Sequence, residues 1–383
     1  MSSNTKQIKI RYILSHPIQY QTPLIQYLVG KKIDLFVNYR SNISIKKFYD
    51  PGFKKKIKWD VNLMKGYQSK FLTYIGPNKT SSLYPLTTEI FSILRDKQYK
   101  IIWLHGIKTW YNLLIIILSP FYNKKILVRD ETWKFSKQRS LLNKIYNKFF
   151  YFIIDKFVDF FLSIGTANKL YYIENNISKK KIASVPYVTN NKFFSKNIKK
   201  IKTKLVFLYA GKINKERKGI DLLLQAIHYL HNKNLLNNIE FNIVGDGEMK
   251  SYLDNYIKEN NFSHTRSFGF QNQTQLSKHY QNSHVYIMPS RIEPWGLGVN
   301  EAMAAGNAIL CSDKVGSKFD LVKNNKNGRC FKSGCHRSLA KEILFFIKNK
   351  KKIYTFQTNS KKIISSFNFH KCYLGLLSAC KQL

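Results

Sequence analysis

Two glutamates, two lysines and one glycine-bounded turn hold the residue types that could do chemistry in this chain. Glu293 and Glu301, with seven residues between them, lie in Ser290-Arg-Ile-Glu-Pro-Trp-Gly-Leu-Gly-Val-Asn-Glu-Ala-Met-Ala-Ala-Gly306. An apolar, β-branched run, His284–Met288, precedes this stretch and reads as a buried strand. Glu293 and Pro294 then fall in the loop leaving the strand. Val299–Ala305 is rich in helix formers, and Gly306 is placed as a helix stop. A turn at Gly296-Leu297-Gly298 therefore presents free backbone N–H groups and the positive end of a helix dipole, a setting for an anion such as diphosphate. Glu301 projects from the first helical turns beside that anion, where it can accept hydroxyl hydrogen bonds. Glu293 faces the same cleft from the loop.

The cations come from a second strand–loop–helix. Lys204–Gly211 is an apolar strand, followed by Lys212, then Lys218-Gly219, then the helically periodic Ile220–Leu230. Lys212 and Lys218 lie on that loop, six residues apart, and can clamp a diphosphate from the side opposite the Gly296–Gly298 amides.

The string E-P-W-G-L-G-x-x-E-A-M-A-A-G resembles the signature of retaining glycosyltransferases of family 4. That resemblance implies an α/β chain of the GT-B fold, two Rossmann-like doubly wound domains facing across a cleft. It implies a hexosyl unit taken from a UDP- or GDP-linked donor and passed, with retention, to a glycan or lipid-linked acceptor in cell-surface polysaccharide or glycolipid synthesis. By the same resemblance, Glu301 binds the nucleotide ribose and Glu293 the donor sugar. Lys212 (where the family carries arginine), Lys218, Gly296, Leu297 and Gly298 hold the diphosphate. Phe270, in Ser267-Phe-Gly-Phe270, lines the base pocket. No Asp-x-Asp pair occurs, so neither a metal nor any cofactor besides the donor is expected.

In the first half, H-P-I-Q-Y-x-x-P-L from His16 and D-x-x-L-x-x-G-Y-x-x-x-F-L from Asp60 resemble one subset of that family. Val185-Pro-Tyr-Val-Thr-Asn190 resembles its end-of-domain motif, with asparagine in place of aspartate. Strands are expected at Ile8–Leu14, Ile33–Asn38, Ile101–Leu104, Ile126–Val128 and Phe160–Ile164. Residues after such strands face the ligand cleft in doubly wound sheets, which marks His16, His105, Arg129 and Asp130. The family places a histidine where this chain has Arg129-Asp130. Asp130, kept ionised by cationic neighbours, is then the candidate to fix the donor sugar or take the acceptor proton, with Arg129 shielding it or pairing with phosphate. The plainer alternatives are a loop-shaping ion pair at Asp130 and a turn hydrogen bond at His16. Residues 1–198 read as the acceptor-side domain, 199–365 as the nucleotide-sugar domain, and 366–383 as a helix returning to the first domain.

A chain of 383 residues with 44% hydrophobic content suffices for two cores. The net charge of +42 is scattered and contains no nucleic-acid motif. Lys, Asn, Ile and Tyr are over-used together, as AT-rich codons produce, and selection for an acidic membrane surface adds to this. Nucleic acid is not an expected partner. The five cysteines have no C-x-x-C spacing, so cytosolic thiols are expected. The amino terminus has no secretory pattern, and no run approaches the ~20 apolar residues of a membrane span. A cytoplasmic protein, peripheral on the inner membrane face, follows. The element for that attachment is Gln138–Lys156, where Leu141, Leu142, Ile145, Phe149, Phe152 and Ile153 recur at helical spacing with Lys144, Lys148 and Lys156. Packing on the sheet is the simpler source of its stripe. Two other functional classes fit less of the sequence. A non-catalytic binder of anionic polymer or membrane leaves the glutamate pair unexplained, and a two-carboxylate glycoside hydrolase leaves the lysines unexplained.

Overall fold

The computed structural model describes residues 7–31, 33–135, 140–198, 200–201 and 203–383. Its strands, in chain order, are β1 (Ile8–Leu14), β2 (Ile33–Tyr39), β3 (Phe48–Asp50), β4 (Lys55–Ile57), β5 (Gln68–Phe71), β6 (Ile101–His105), β7 (Lys125–Arg129), β8 (Phe160–Ser163), β9 (Ile182–Ser184), β10 (Leu205–Ala210), β11 (Ile239–Val244), β12 (Thr265–Ser267), β13 (Val285–Met288), β14 (Ala308–Ser312) and β15 (Gly328–Phe331). They form two parallel sheets, ordered β5-β2-β1-β6-β7-β8-β9 and β12-β11-β10-β13-β14-β15, plus the small antiparallel pair β3–β4.

The central strands of both sheets are buried on both faces, which is why they are continuous apolar runs rather than alternating ones. Successive residues of β10 divide between two cores. Phe207 packs with Leu223, Ile227 and Ile343, while Leu208 packs with Ala302, Met303 and Ile309. In the first sheet Ile13 and Tyr12 divide in the same way. Each sheet is built outward from its first strand in two directions. The order reverses between β1 and β6 in one sheet and between β10 and β13 in the other. At such a switch point the loops leaving the strands diverge and leave a crevice for ligand. The loops after β1, β10 and β13 open there.

The helix Lys350–Ser365 packs on the second sheet through Ile353, Phe356 and Ile364. The next helix, Phe369–Cys380, instead joins the first core, with Cys372, Leu376 and Ala379 set against Ile10, Tyr12 and Val185. The two crossings between domains meet at Asn191, whose Nδ2 donates to the carbonyls of Ile364 (3.1 Å) and Phe367 (3.0 Å).

The polar, lysine-rich stretch 40–82 holds the β3–β4 hairpin and the edge strand β5. One sequence expectation changes. The helix expected from Gln138 runs Leu141–Asp155, Gln138 itself lying outside the described residues. Its apolar stripe does not pack on the sheet. Asn147, Tyr151 and Ile154 form the buried face, while Leu142 is 78% and Phe149 62% exposed.

Candidate functional site

A cavity of about 350 Å³ lies between the two sheets at their switch points. Its floor is the turn after β13. Gly296 caps the helix Leu297–Ala305 with φ of 93°, a left-handed conformation that a residue with Cβ adopts only under strain. Gly298 has a different reason. A Cβ there would stand 2.3 Å from the Tyr286 hydroxyl, so only glycine lets this helix start so close to the sheet. The helix begins at Leu297, two residues earlier than helix propensity indicates, and the amides of Leu297 and Gly298 belong to its first turn. First-turn amides have no partner within a helix, so they are available to an anion.

Lys212 and Lys218 line the same cavity. Each already has a carboxylate partner. Lys218 Nζ donates to Glu293, whose residue is only 8% exposed, and Lys212 Nζ is 3.0 Å from Asp50 of the first domain. An ammonium carries three donors, so both lysines keep the capacity to meet phosphate oxygens while paired.

Glu301 reaches the cavity from the helix, flanked by Tyr280 and Tyr286. Burial pushes its carboxyl up to about 7, against the hydrogen bond from Tyr280. The folded protein thus holds the Glu301 proton more tightly than the unfolded chain, and this group removes stability as pH rises from about 4.5 to about 7. Glu301→Gln should therefore raise the melting midpoint at pH 8 and leave it unchanged near pH 4, where the glutamate is protonated in both states. The gain at pH 8 is at most about 3 kcal/mol. Thermal scans at the two pH values check this, and an equal gain at both would refute the cause.

The first domain contributes Gln19, Tyr20, Glu131 and Tyr187. Here the structure corrects the sequence expectation. β7 extends one residue further than its apolar run indicates, so Arg129 is a strand residue pointing into the core. It is 1% exposed, donates to the carbonyls of Val185 (3.1 Å) and Pro186 (3.0 Å), and lies 4.4 Å from the Tyr187 ring centre. It braces the Val185–Asn190 segment and does not reach a phosphate. Asp130 turns away from the cavity and accepts from the Thr132 hydroxyl and the Glu131 amide. Burial raises its carboxyl above the ordinary range, so cationic neighbours do not dominate it.

The carboxylate that faces the cavity is the next one, Glu131, which accepts from the Tyr187 and Tyr20 hydroxyls. Partial desolvation in the cleft works against ionisation, although 44% of its side chain is exposed. The hydrogen bond from His105, the Tyr187 hydroxyl and the Arg129 charge outweigh that and hold it below the ordinary range. His105 stands behind it, with Nε2 3.2 Å from the Tyr187 hydroxyl and 3.9 Å from Glu131, and Nδ1 3.2 Å from the Tyr12 hydroxyl. His16 bonds the neighbouring Ser15 hydroxyl at 2.9 Å, and burial lowers it to about 4, so it is neutral at neutral pH. Phe270 lines the far end of the cavity beside Phe53 and Trp59.

The two halves are stitched directly at the motif. Trp295 Nε1 donates to Asn300, and Asn300 Nδ2 donates to the Tyr187 carbonyl of the first domain at 3.1 Å. Glu131, Tyr187, Phe53 and Trp59 were not identified as site residues in the sequence. Tyr187 stood inside a motif with no role attached. The signal for Glu131 was faint, three polar residues after an apolar run whose end is one residue uncertain.

Residues 190–363 match the family model described as Glycosyl transferases group 1. This segment, just under half of the chain, is similar to group 1 glycosyltransferases. An uncharacterized glycosyltransferase of Methanocaldococcus jannaschii is 25% identical over 44% of this chain and 45% of its own length. A lipopolysaccharide 1,2-N-acetylglucosaminetransferase of Salmonella typhimurium is 37% identical over 30% of this chain and 32% of its own. The chain thus matches less than half the length of either relative. Among solved structures, Anabaena HepE in complex with UDP superposes with a TM-score of 0.75 at 15% identity, covering 98% of this chain and 100% of that one. The group 1 domain is the second half of a GT-B fold, and the doubly wound first sheet completes it.

Proposed function

We propose that this protein is a retaining, metal-independent glycosyltransferase that moves a hexosyl unit from a UDP- or GDP-linked donor to a glycan or lipid-linked acceptor. The observation that carries the reading is the cavity itself. Paired lysines and free first-turn amides stand on one wall, and Glu293, Glu301 and Glu131 stand around them. The solved relative that holds UDP, and the curated relative named for lipopolysaccharide, support donor and acceptor classes respectively.

The chemistry follows from charge. Breaking the bond between the anomeric carbon and the phosphate oxygen leaves negative charge on the diphosphate and positive charge on the sugar. Lys212, Lys218 and the amides of Leu297 and Gly298 oppose the first, in a cleft where such interactions are strong. Glu131, ionised and facing the cavity from the other domain, opposes the second. The acceptor hydroxyl forms the new bond on the face the phosphate leaves, and its proton passes to the departing phosphate oxygen. Glu301 accepts ribose hydroxyls, and Glu293 orients the donor sugar while holding Lys218 in place. Incubation with a panel of nucleotide sugars tests the reading: saturable UDP or GDP binding and product with retained configuration, both surviving EDTA, are expected. The absence of any nucleoside diphosphate binding would overturn it.

The acceptor class rests on a second feature. No helix among the described residues is long and apolar enough to cross a membrane. Yet Leu141–Asp155 presents Leu141, Leu142, Ile145, Phe149 and Phe152 outward, with Lys144 and Lys148 beside them. An apolar face aimed at water, flanked by cations, suits the interface of an anionic bilayer, and we take that surface as the docking site for a lipid-linked acceptor. Vesicles containing phosphatidylglycerol should pellet the protein at low salt and release most of it at 0.5 M, because surface attraction is screened over a few ångströms there. The double variant Leu142→Glu, Phe149→Glu should stay in the supernatant. Pelleting equal to that of the unaltered chain would refute the assignment.

A further inference from the structure

We propose that the segment 48–60, a hairpin of the first domain, is a base-binding element of the donor site: Phe53 and Trp59 complete the nucleobase end of the cavity, so that both domains hold the base. This rests on the donor reading above and adds a subsite to it.

The hairpin leaves its own domain and is tied to the other at four polar points. Asp50 Oδ1 is 3.0 Å from Lys212 Nζ, and Lys55 Nζ is 2.8 Å from Asp246. Asn272 Nδ2 donates to the Lys58 carbonyl at 3.0 Å, and the Thr274 amide donates to Asp60 at 3.0 Å. Asp50 also shapes the turn. Its Oδ1 accepts the amides of Gly52 (2.7 Å) and Phe53 (3.0 Å), which sets the direction in which Phe53 leaves the backbone. Gly52 lies against Lys212, where a Cβ would come within 2.2 Å of Nζ.

These ties bring three rings together. Phe53 meets Phe270 edge-on with centroids 4.9 Å apart, and Trp59 tilts against Phe270 at 6.0 Å. All three are half-buried and line the cavity, so part of each ring surface remains open to it. Three rings, Phe53, Trp59 and Phe270, thus converge at one place on the lining. A nucleoside diphosphate sugar has a single flat π-surface, its base, and stacking on aromatic side chains tolerates any base. Lys212, which we assign to the diphosphate, stands 5.0 Å from the Phe53 ring centre, so the aromatic end adjoins the phosphate clamp. A base held here touches Phe270 from one domain and Phe53 and Trp59 from the other.

The test titrates the full-length chain calorimetrically with UDP, GDP and inorganic pyrophosphate. Phe53→Ala and Trp59→Ala should each weaken binding of the nucleoside diphosphate roughly 5–100-fold and leave pyrophosphate within about two-fold of the unaltered chain. Trp59→Phe, which keeps a π-face, should recover most of the loss, and Asp60→Ala, which cuts one tie, should weaken the nucleotide in the same direction. Unchanged nucleotide affinity in both alanine variants would overturn the proposal. So would an equal loss for pyrophosphate, which would make the hairpin only a brace between domains. If the unaltered chain binds pyrophosphate but no nucleoside diphosphate, the donor reading falls as well, and that outcome is distinct from the other two.

Discussion

Lys218→Ala should lower the proposed transfer rate roughly 10²–10³-fold, the loss associated with removing one preorganised group that meets charge developing in the transition state. The lysine is held by Glu293, which is nearly buried, at the edge of the amides of Leu297 and Gly298. Removing the ammonium therefore does two things. The leaving diphosphate loses a cation, and Glu293 is left as an uncompensated carboxylate in a poor solvent environment, which destabilises the fold. The two effects separate in a double variant. Lys218→Ala with Glu293→Ala should recover part of the lost melting temperature without recovering turnover. Lys218→Arg should retain more activity than alanine, because charge is kept although the fork changes the geometry. Turnover measured at saturating donor decides the matter, and near-normal turnover in Lys218→Ala would remove the lysine from the reaction.

Glu131→Gln is expected to cost transfer as heavily, again roughly 10²–10³-fold, while Asp130→Asn should change it little. The two positions are adjacent, so the contrast isolates orientation from local charge. Glu131 faces the cavity, half-exposed, and is kept ionised through hydrogen bonds from His105 and Tyr187 and the charge of Arg129. Glutamine keeps the shape and most of the acceptor capacity but has no charge to set against a sugar turning cationic. Because the carboxyl lies below the ordinary carboxylate value of 4.5, Glu131 itself should cause no loss of activity as pH falls from the alkaline side towards that value. Any fall in that interval belongs to another group, and Glu301, which titrates near 7, is the one placed to cause it. A reversed pattern, with Asp130→Asn inactive and Glu131→Gln active, would return the role to Asp130.

The features that could be seen in the sequence were those whose causes are local. A left-handed cap, a close approach and a helix stop each demand glycine, so Gly296, Gly298 and Gly306 announce their turn without any knowledge of the rest. Buried parallel strands demand apolar runs, and the central strands β1, β6, β10, β11 and β13 were legible for that reason. The features that could not be seen depend on what lies across the cleft. Side chains in a strand alternate, so one residue of error at the end of β7 exchanged Asp130 for Glu131 as the residue facing the cavity. A hydrophobic stripe says only that water is a poor neighbour. It does not say whether protein covers it, and on Leu141–Asp155 nothing in the described chain covers Leu142 or Phe149. The hairpin at 48–60 carries its meaning in contacts with residues about 160 to 215 positions away, such as Lys212 and Thr274, and no local pattern encodes those.

The double crossing at Asn191 sets the mechanics of the whole molecule. A two-domain protein joined by one strand of chain can twist, slide and swing like a flail. Here the backbone passes between domains twice, near 191 and near 367, and Asn191 Nδ2 pins the two passes to each other. Because one side chain fastens both passes at one place, a displacement of either pass is felt by the other, and the crossing behaves as a single stiff joint rather than two loose threads.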